Sequence, residues 1–302
     1  MTPDDYSWLP ADIRAFIAQT EAAYPPDAVN FTVAEQRAFY DKLCSEFSPP
    51  HPAGLRAQDL TIAGVPCRRY QPTTPREGVT ALYFHGGGFV VGGLHSHDSI
   101  CAELAEQAQV VLIAVDYRLV PEFLHPAAYD DCLAVFDAVP GPKVLVGDSA
   151  GGNLAACICA NREGVGGQVL IYPGLGGARD LPSYTRHAHA PMLTAADVEY
   201  YGKLRFDGPR VAGDLTSAPL EASDYSGLPP TAIFTAQADP LASDGVEYAA
   251  RLAEAGVAVE LTEEPGMVHG YLRARHMATG AAGSFQRIAG ALGALAAGAA
   301  GQ

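Results

Sequence analysis

From residue 79 onward the chain alternates short apolar runs with longer segments of helical period. Runs near 79–84, 110–115, 143–147, 168–172, 231–236 and 257–261 have strand length and strand composition. Strand and helix in alternation predict an α/β fold with a mostly parallel, doubly wound central sheet flanked by helices. Two more strand-like stretches, 57–63 and 65–71, come first. Ahead of them, residues 11–24 and 33–47 read as amphipathic helices split by Tyr24-Pro25-Pro26. This segment carries Trp8, Phe16, Tyr24, Phe39 and Phe47, so it needs an apolar surface to cover and is no disordered tail. A helix over Ser243–Ala255 is predicted to set Val246, Ala249, Ala250 and Ala253 on one face and Glu247, Arg251 and Glu254 on the other, with Gly256 at C′. The stretch from Tyr172 to Thr231 is far longer than a crossover needs. Within it, Thr194-Ala195-Ala196-Asp197 has the form of a capping box, and Val198, Tyr201 and Leu204 follow on one face. The expected organisation is a catalytic domain over 48–302. Residues 1–47 and an insertion near 174–225 are expected to form a helical cap over it.

Several strands end in residues that carry chemistry. Lys143-Val144-Leu145-Val146 leads into Gly147-Asp148-Ser149-Ala150-Gly151-Gly152-Asn153 and then a buried helix. A serine between glycines at a strand-to-helix turn reads as a nucleophile elbow, although a helix-capping serine in an ordinary turn has the same local look. Thr80–Phe84 ends in His85-Gly86-Gly87-Gly88-Phe89, a loop whose bare backbone can approach an oxyanion. Asp239 ends a third strand, with Asp244 a competing carboxylate assigned to the first turn of the following helix. His269 follows the last strand. The order Ser149, Asp239, His269 is the hydrolase order, and the strand ends of an open parallel sheet share one edge.

Together with Asp116-Tyr117-Arg118-Leu119-Val120-Pro121-Glu122, Asp239-Pro240-Leu241 and His269-Gly270, these motifs resemble the bacterial hormone-sensitive-lipase-like carboxylesterases, from about residue 50 to the C-terminus. The resemblance implies an α/β-hydrolase fold, with Ser149 as nucleophile, His269 as base and Asp239 as its orienting acid. It implies an oxyanion hole from the N–H groups of Gly87, Gly88 and Ala150, and a structural pair in Arg118 and Glu122. The expected activity is hydrolysis of short- to medium-chain acyl esters through an acyl-enzyme, with no metal and no cofactor. An amidase or peptidase on the same triad, and a non-catalytic small-molecule receptor, are the rival readings.

Composition narrows the partners. Of 302 residues 48% are hydrophobic and 18% charged, which suits one large core. The formal net charge of −15 argues against nucleic acid and anionic membrane as partners, and need not repel the neutral small-molecule ester that the resemblance implies. Six cysteines without a Cys-x-x-Cys spacing read as buried free thiols. His95/His97 and His187/His189 read as loop histidines rather than metal ligands. The acidic start lacks an apolar signal core, and Ile288–Ala300 is shorter than the roughly 20 residues of a membrane span, so it reads as a final helix docked on the sheet. A cytoplasmic location is the resulting expectation, with homodimerisation left open.

Overall fold

The computed structural model describes residues 5–301, so residues 1–4 of the acidic start lie outside the described residues. Eight strands form one sheet: β1 (Arg56–Ile62), β2 (Val65–Gln71), β3 (Thr80–Phe84), β4 (Val111–Val115), β5 (Lys143–Asp148), β6 (Val165–Ile171), β7 (Thr231–Ala238) and β8 (Val259–Val268). Their spatial order is β1-β2-β4-β3-β5-β6-β7-β8. The two pairings that involve β2 are antiparallel and all the others are parallel. The central strands are buried almost end to end, which is why their sequences read as continuous apolar runs.

Helices α1 (Ala11–Ala23) and α2 (Val33–Glu46) precede the sheet, and α3 (Asp98–Ala108), α4 (Ala127–Ala138) and α5 (Ala150–Asn161) alternate with its strands. Then come α6 (Pro182–Arg186), α7 (Ala195–Arg205), α8 (Ala242–Glu254) and α9 (Thr279–Ala300). The alanine- and glycine-rich α9 docks on β6 because both sides are small. A Cβ on Gly166 would lie 2.5 Å from the Ala299 side chain, and one on Gly167 3.1 Å from Leu295. No helix among the described residues is long and apolar enough to cross a membrane.

Two predicted details are corrected. The buried face of α8 is Gly245, Tyr248, Ala249 and Leu252, while Val246 is 43% exposed and Ala250 and Ala253 face solvent. Alanine fits either face, so the bulky Tyr248 and Leu252 decided the rotation. β8 runs on through Val268 instead of ending near Leu261. Its register against β7 shifts between Ala236↔Glu264 and Ala238↔Val268, a bulge containing Pro265 and Gly266. Gly266 takes φ +69°, and its N–H donates to Gln237 Oε1 at 2.8 Å.

Candidate active site

The sheet brings three strand ends together. Ser149 directly follows β5, Asp239 follows β7 and His269 follows β8. The β7–β8 bulge sets Ala238 opposite Val268, which places Asp239 beside His269. Asp239 Oδ2 lies 2.7 Å from His269 Nδ1, and His269 Nε2 lies 2.9 Å from Ser149 Oγ. Asp239 is wholly buried, and its second oxygen accepts the Leu241 N–H at 2.8 Å. The Tyr172 ring lies 4.8 Å from the imidazole, on the inner side of the site.

Ser149 has φ +52° and ψ −114°, a conformation that side chains rarely adopt. Its neighbours hold it there. A Cβ on Gly151 would stand 1.8 Å from the Phe84 carbonyl oxygen, and one on Gly147 2.3 Å from the Gly151 backbone. Strand β3, the turn and α5 therefore meet at a separation that only glycine permits, and Ser149 makes no side-chain capping bond to α5. The glycine loop after β3 is as tight. Gly87 has φ +123°, and a Cβ on it would meet the Val91 carbonyl oxygen at 2.1 Å. Val90 and Val91 N–H groups both donate to Gly87 O at 3.0 Å. Gly86 N–H is committed to Asp148 Oδ1 at 2.8 Å, and the loop then turns so that Gly87 and Gly88 line the cavity containing Ser149 and His269. Ala150 opens α5, where the first amides of a helix have no intrahelical acceptor.

The cavity has a volume of about 700 Å³. Its far walls come from α1, α2, the link between them and α7, including Ile17, Val29, Leu43 and Tyr201. Tyr201 rests on the loop itself, since a Cβ on Gly88 would fall 2.7 Å from its ring. The helices join one another through Tyr24 and Tyr201 hydroxyls at 3.5 Å and a Gln36 Nε2 donation to Tyr200 at 2.9 Å. The capping box at Thr194 and Asp197 forms as predicted, worth about 1 kcal/mol to α7.

Residues 81–273 match the alpha/beta hydrolase fold family. Carboxylesterase NlhH of Mycobacterium tuberculosis is 38% identical over 243 residues, spanning 72% of this chain and 76% of that protein. An ethyl acetate hydrolase of Pseudomonas putida is 36% identical over 69% of this chain and 72% of its own. Among solved structures, an alpha/beta hydrolase enzyme from the metagenome of Lake Arreo, Spain, superposes with a TM-score of 0.85 at 31% identity, covering 95% of this chain and 98% of that one. The chain belongs to the hormone-sensitive-lipase-like α/β-hydrolase family.

Beneath the elbow this α/β hydrolase holds a polar cluster that the motifs did not disclose. Asp148 is buried and accepts from Gly86 N–H, from Tyr83 Oη at 2.7 Å, and from Tyr172 Oη at 3.4 Å. His97 Nε2 stands 3.3 Å from the same carboxylate, and Arg273 is also felt there. Burial pushes the Asp148 carboxyl up, but His97, Arg273 and the Tyr83 hydrogen bond together hold it below the usual range. His97 lies in the loop that leads into α3 and is buried there, and burial outweighs the carboxylate and lowers its pKa. His85 is lowered to about 3, by burial first and then by His97. It stacks on Tyr117 at 4.2 Å, and the Tyr117 hydroxyl donates to His85 O at 2.6 Å. One clue was present in the sequence: a charged residue on an otherwise apolar central strand must find partners when buried.

The expected Arg118–Glu122 pair does not form. Arg118 grips Asp131 at 2.8 Å, and Glu122 is taken by Arg37 of α2 at 2.7 Å. Asp244, the rival carboxylate, lies in the first turn of α8 as expected but is fully buried. It accepts from Leu175 and Gly177 N–H groups and from Tyr184 Oη. Burial pushes it up to about 6, and nothing connects it to His269. All six cysteines are buried and unbridged.

Proposed function

We propose that this protein is a carboxylic ester hydrolase for short- to medium-chain acyl esters. Ser149 is the nucleophile, His269 the general base and Asp239 its orienting acid. The observation that carries the reading is the unbroken Asp239–His269–Ser149 hydrogen-bond chain, opening into a roofed cavity. Ser149 Oγ attacks the ester carbonyl as its proton passes to His269 Nε2. The resulting alkoxide is held by the N–H groups of Gly87, Gly88 and Ala150. His269 then protonates the leaving alcohol, and the acyl group stays on Ser149. A water, deprotonated by His269, attacks the acyl-enzyme, and Ser149 leaves with the returned proton. Asp239 keeps the proton of His269 on Nδ1 and balances the imidazolium. The supporting relatives carry names of carboxylesterase and ethyl acetate hydrolase type.

Residues 1–47 and the insertion near 174–225 act as the cap that closes this cavity. Its enclosure suits an ester that enters from solution and fits beneath a roof, rather than a long-chain lipid presented at an interface. A series of p-nitrophenyl esters from acetyl to palmitoyl tests this, with Ser149→Ala as blank. Butyryl and hexanoyl esters are expected to lead and palmitoyl to lag. Ser149→Ala is expected to lose turnover and labelling by an organophosphonate. Turnover by Ser149→Ala equal to wild type would remove the mechanism, and a palmitoyl maximum would remove the chain-length reading.

A further inference from the structure

Two arginines follow His269 in the 3₁₀ segment Tyr271–His276, and the fold treats them differently. Arg275 is buried against Glu103, donating to its carboxylate from Nη2 at 2.7 Å and from Nε at 3.1 Å. Arg273 is 8% exposed, and no carboxylate among the described residues comes within ion-pair distance of it. Its Nη2 donates to the Tyr40 hydroxyl at 2.6 Å and to the Cys44 sulfur at 3.3 Å, both on α2. The guanidinium carbon lies 4.9 Å from the Tyr40 ring centroid. The Nε proton is buried and has no acceptor among the described residues. Asp148 is felt by Arg273 but lies beyond ion-pair distance, so this buried cation lacks a direct carboxylate partner and keeps an unpaired donor, which is costly to fold around and calls for a role.

Its location suggests one. Arg273 and Tyr40 line the same cavity as Ser149 and His269. Because the Tyr40 oxygen accepts from Arg273, its own proton remains available to donate. The other charges that face the cavity do not satisfy the guanidinium. Asp148 is spent on Gly86, Tyr83, Tyr172 and His97, Asp197 on the cap of α7, and Glu21 is exposed.

We propose that Arg273 and Tyr40 form a carboxylate-binding subsite inside the Ser149 cavity, and that the preferred substrates are esters bearing a carboxylate away from the scissile bond. The proposal rests on the esterase reading and specifies its substrate class. A carboxylate would take charge-assisted hydrogen bonds from the guanidinium and the Tyr40 hydroxyl within a low-dielectric enclosure. The net charge of −15 does not prevent this, because salt screens exposed charges beyond about 8–10 Å.

Two matched pairs of esters test the subsite by base uptake at constant pH. Monomethyl glutarate against methyl pentanoate places the carboxylate on the acid side. 3-Acetoxypropanoate against propyl acetate places it on the alcohol side. In wild type at least one charged ester is expected to exceed its neutral partner about tenfold or more in kcat/KM, mainly through KM. Arg273→Met is expected to lower that charged-to-neutral ratio by about 10- to 100-fold, with Arg273→Lys between the two and Tyr40→Phe lowering it less. Neutral esters turned over with no charged preference in either arm would overturn the subsite and leave the esterase reading intact. An unchanged ratio in folded Arg273→Met would do the same. No turnover of any ester, p-nitrophenyl esters included, would overturn both. The wild-type ratio and Tyr40→Phe still decide the matter if Arg273→Met does not fold.

Discussion

Asp239→Asn removes one charge and almost no volume, and the surrounding hydrogen bonds dictate its effect. Asp239 contacts two partners, the Leu241 N–H at 2.8 Å and His269 Nδ1 at 2.7 Å. In the amide, oxygen must face the Leu241 N–H, because the opposite orientation sets two donors against each other. The NH₂ group then points at Nδ1, which must accept. The imidazole proton moves to Nε2, directed at Ser149 Oγ 2.9 Å away, and the base has lost its lone pair. In the Ser-His-Asp proteases, trapping this wrong tautomer costs about 10⁴ in turnover, or about 5 kcal/mol in the barrier. A loss of that order is expected here in kcat for p-nitrophenyl butyrate. KM is expected to move little, because Asp239 is wholly buried. Asp244→Asn is the control. Its amide can turn oxygen to the Leu175 and Gly177 N–H groups and offer NH₂ to the Tyr184 oxygen, so turnover is expected to stay in the wild-type range. Near-wild-type turnover by Asp239→Asn, or the large loss appearing in Asp244→Asn instead, would refute the assignment.

Burial and close packing set two further outcomes. His85 and His97 are buried with lowered pKa, so the unfolded chain binds protons below about pH 6.5 that the folded chain refuses. Their stability contribution is present above that pH and lost as pH falls toward the folded value, about 3 for His85, at up to about 1.4 kcal/mol per pH unit for each. Asp244, raised to about 6, and Asp116, also raised by burial, act in the opposite sense, while His125 and His187, lowered by burial, add to the trend. The melting temperature is therefore expected to fall between pH 7 and 5, and a flat profile would contradict the burial argument. Gly151→Ala is expected to abolish turnover, and to lower the melting temperature or prevent folding, because its Cβ would stand 1.8 Å from the Phe84 carbonyl oxygen. A folded, fully active Gly151→Ala would show that the elbow tolerates more bulk than this separation allows.

The sequence disclosed most where geometry is local. Each predicted strand is present, α1 and α2 form where two amphipathic helices were expected, and α7 follows its predicted capping box. Ser149, Asp239 and His269 each follow a strand, as the sequence indicated, and the sheet brings the three side chains within hydrogen-bond distance. What stayed hidden depends on partners distant in the chain. The partner of Arg118 is 13 residues away and that of Glu122 is 85, whereas the motif invited pairing them with each other. Tyr248 and Leu252 set the rotation of α8, where a row of alanines gives no period to read. The continuation of β8 was masked by Thr262, Glu263, Glu264 and Pro265, whose polarity and missing donor resemble a loop until the bulge absorbs them. The Asp148 cluster joins residues from four separate segments, so no spacing could display it.

The roof of the cavity is made from the beginning of the chain, and its footing from the end. Ile13 and Phe16 belong to the same apolar cluster as Met267, Tyr271 and Phe285. Asp12 accepts the Thr279 N–H at 3.0 Å, and Tyr40 receives Arg273. A ribosome therefore delivers α1 and α2 first, yet part of the surface they dock on lies in the last quarter of the protein and emerges last. Such long-range contacts form late and slowly. Completion of the cavity is thus expected to await the end of translation, since a chain truncated before His269 lacks that residue and part of the surface on which α1 packs. One consequence for handling the protein is that a C-terminal truncation is expected to loosen the N-terminal helices as well, read as a lower melting temperature.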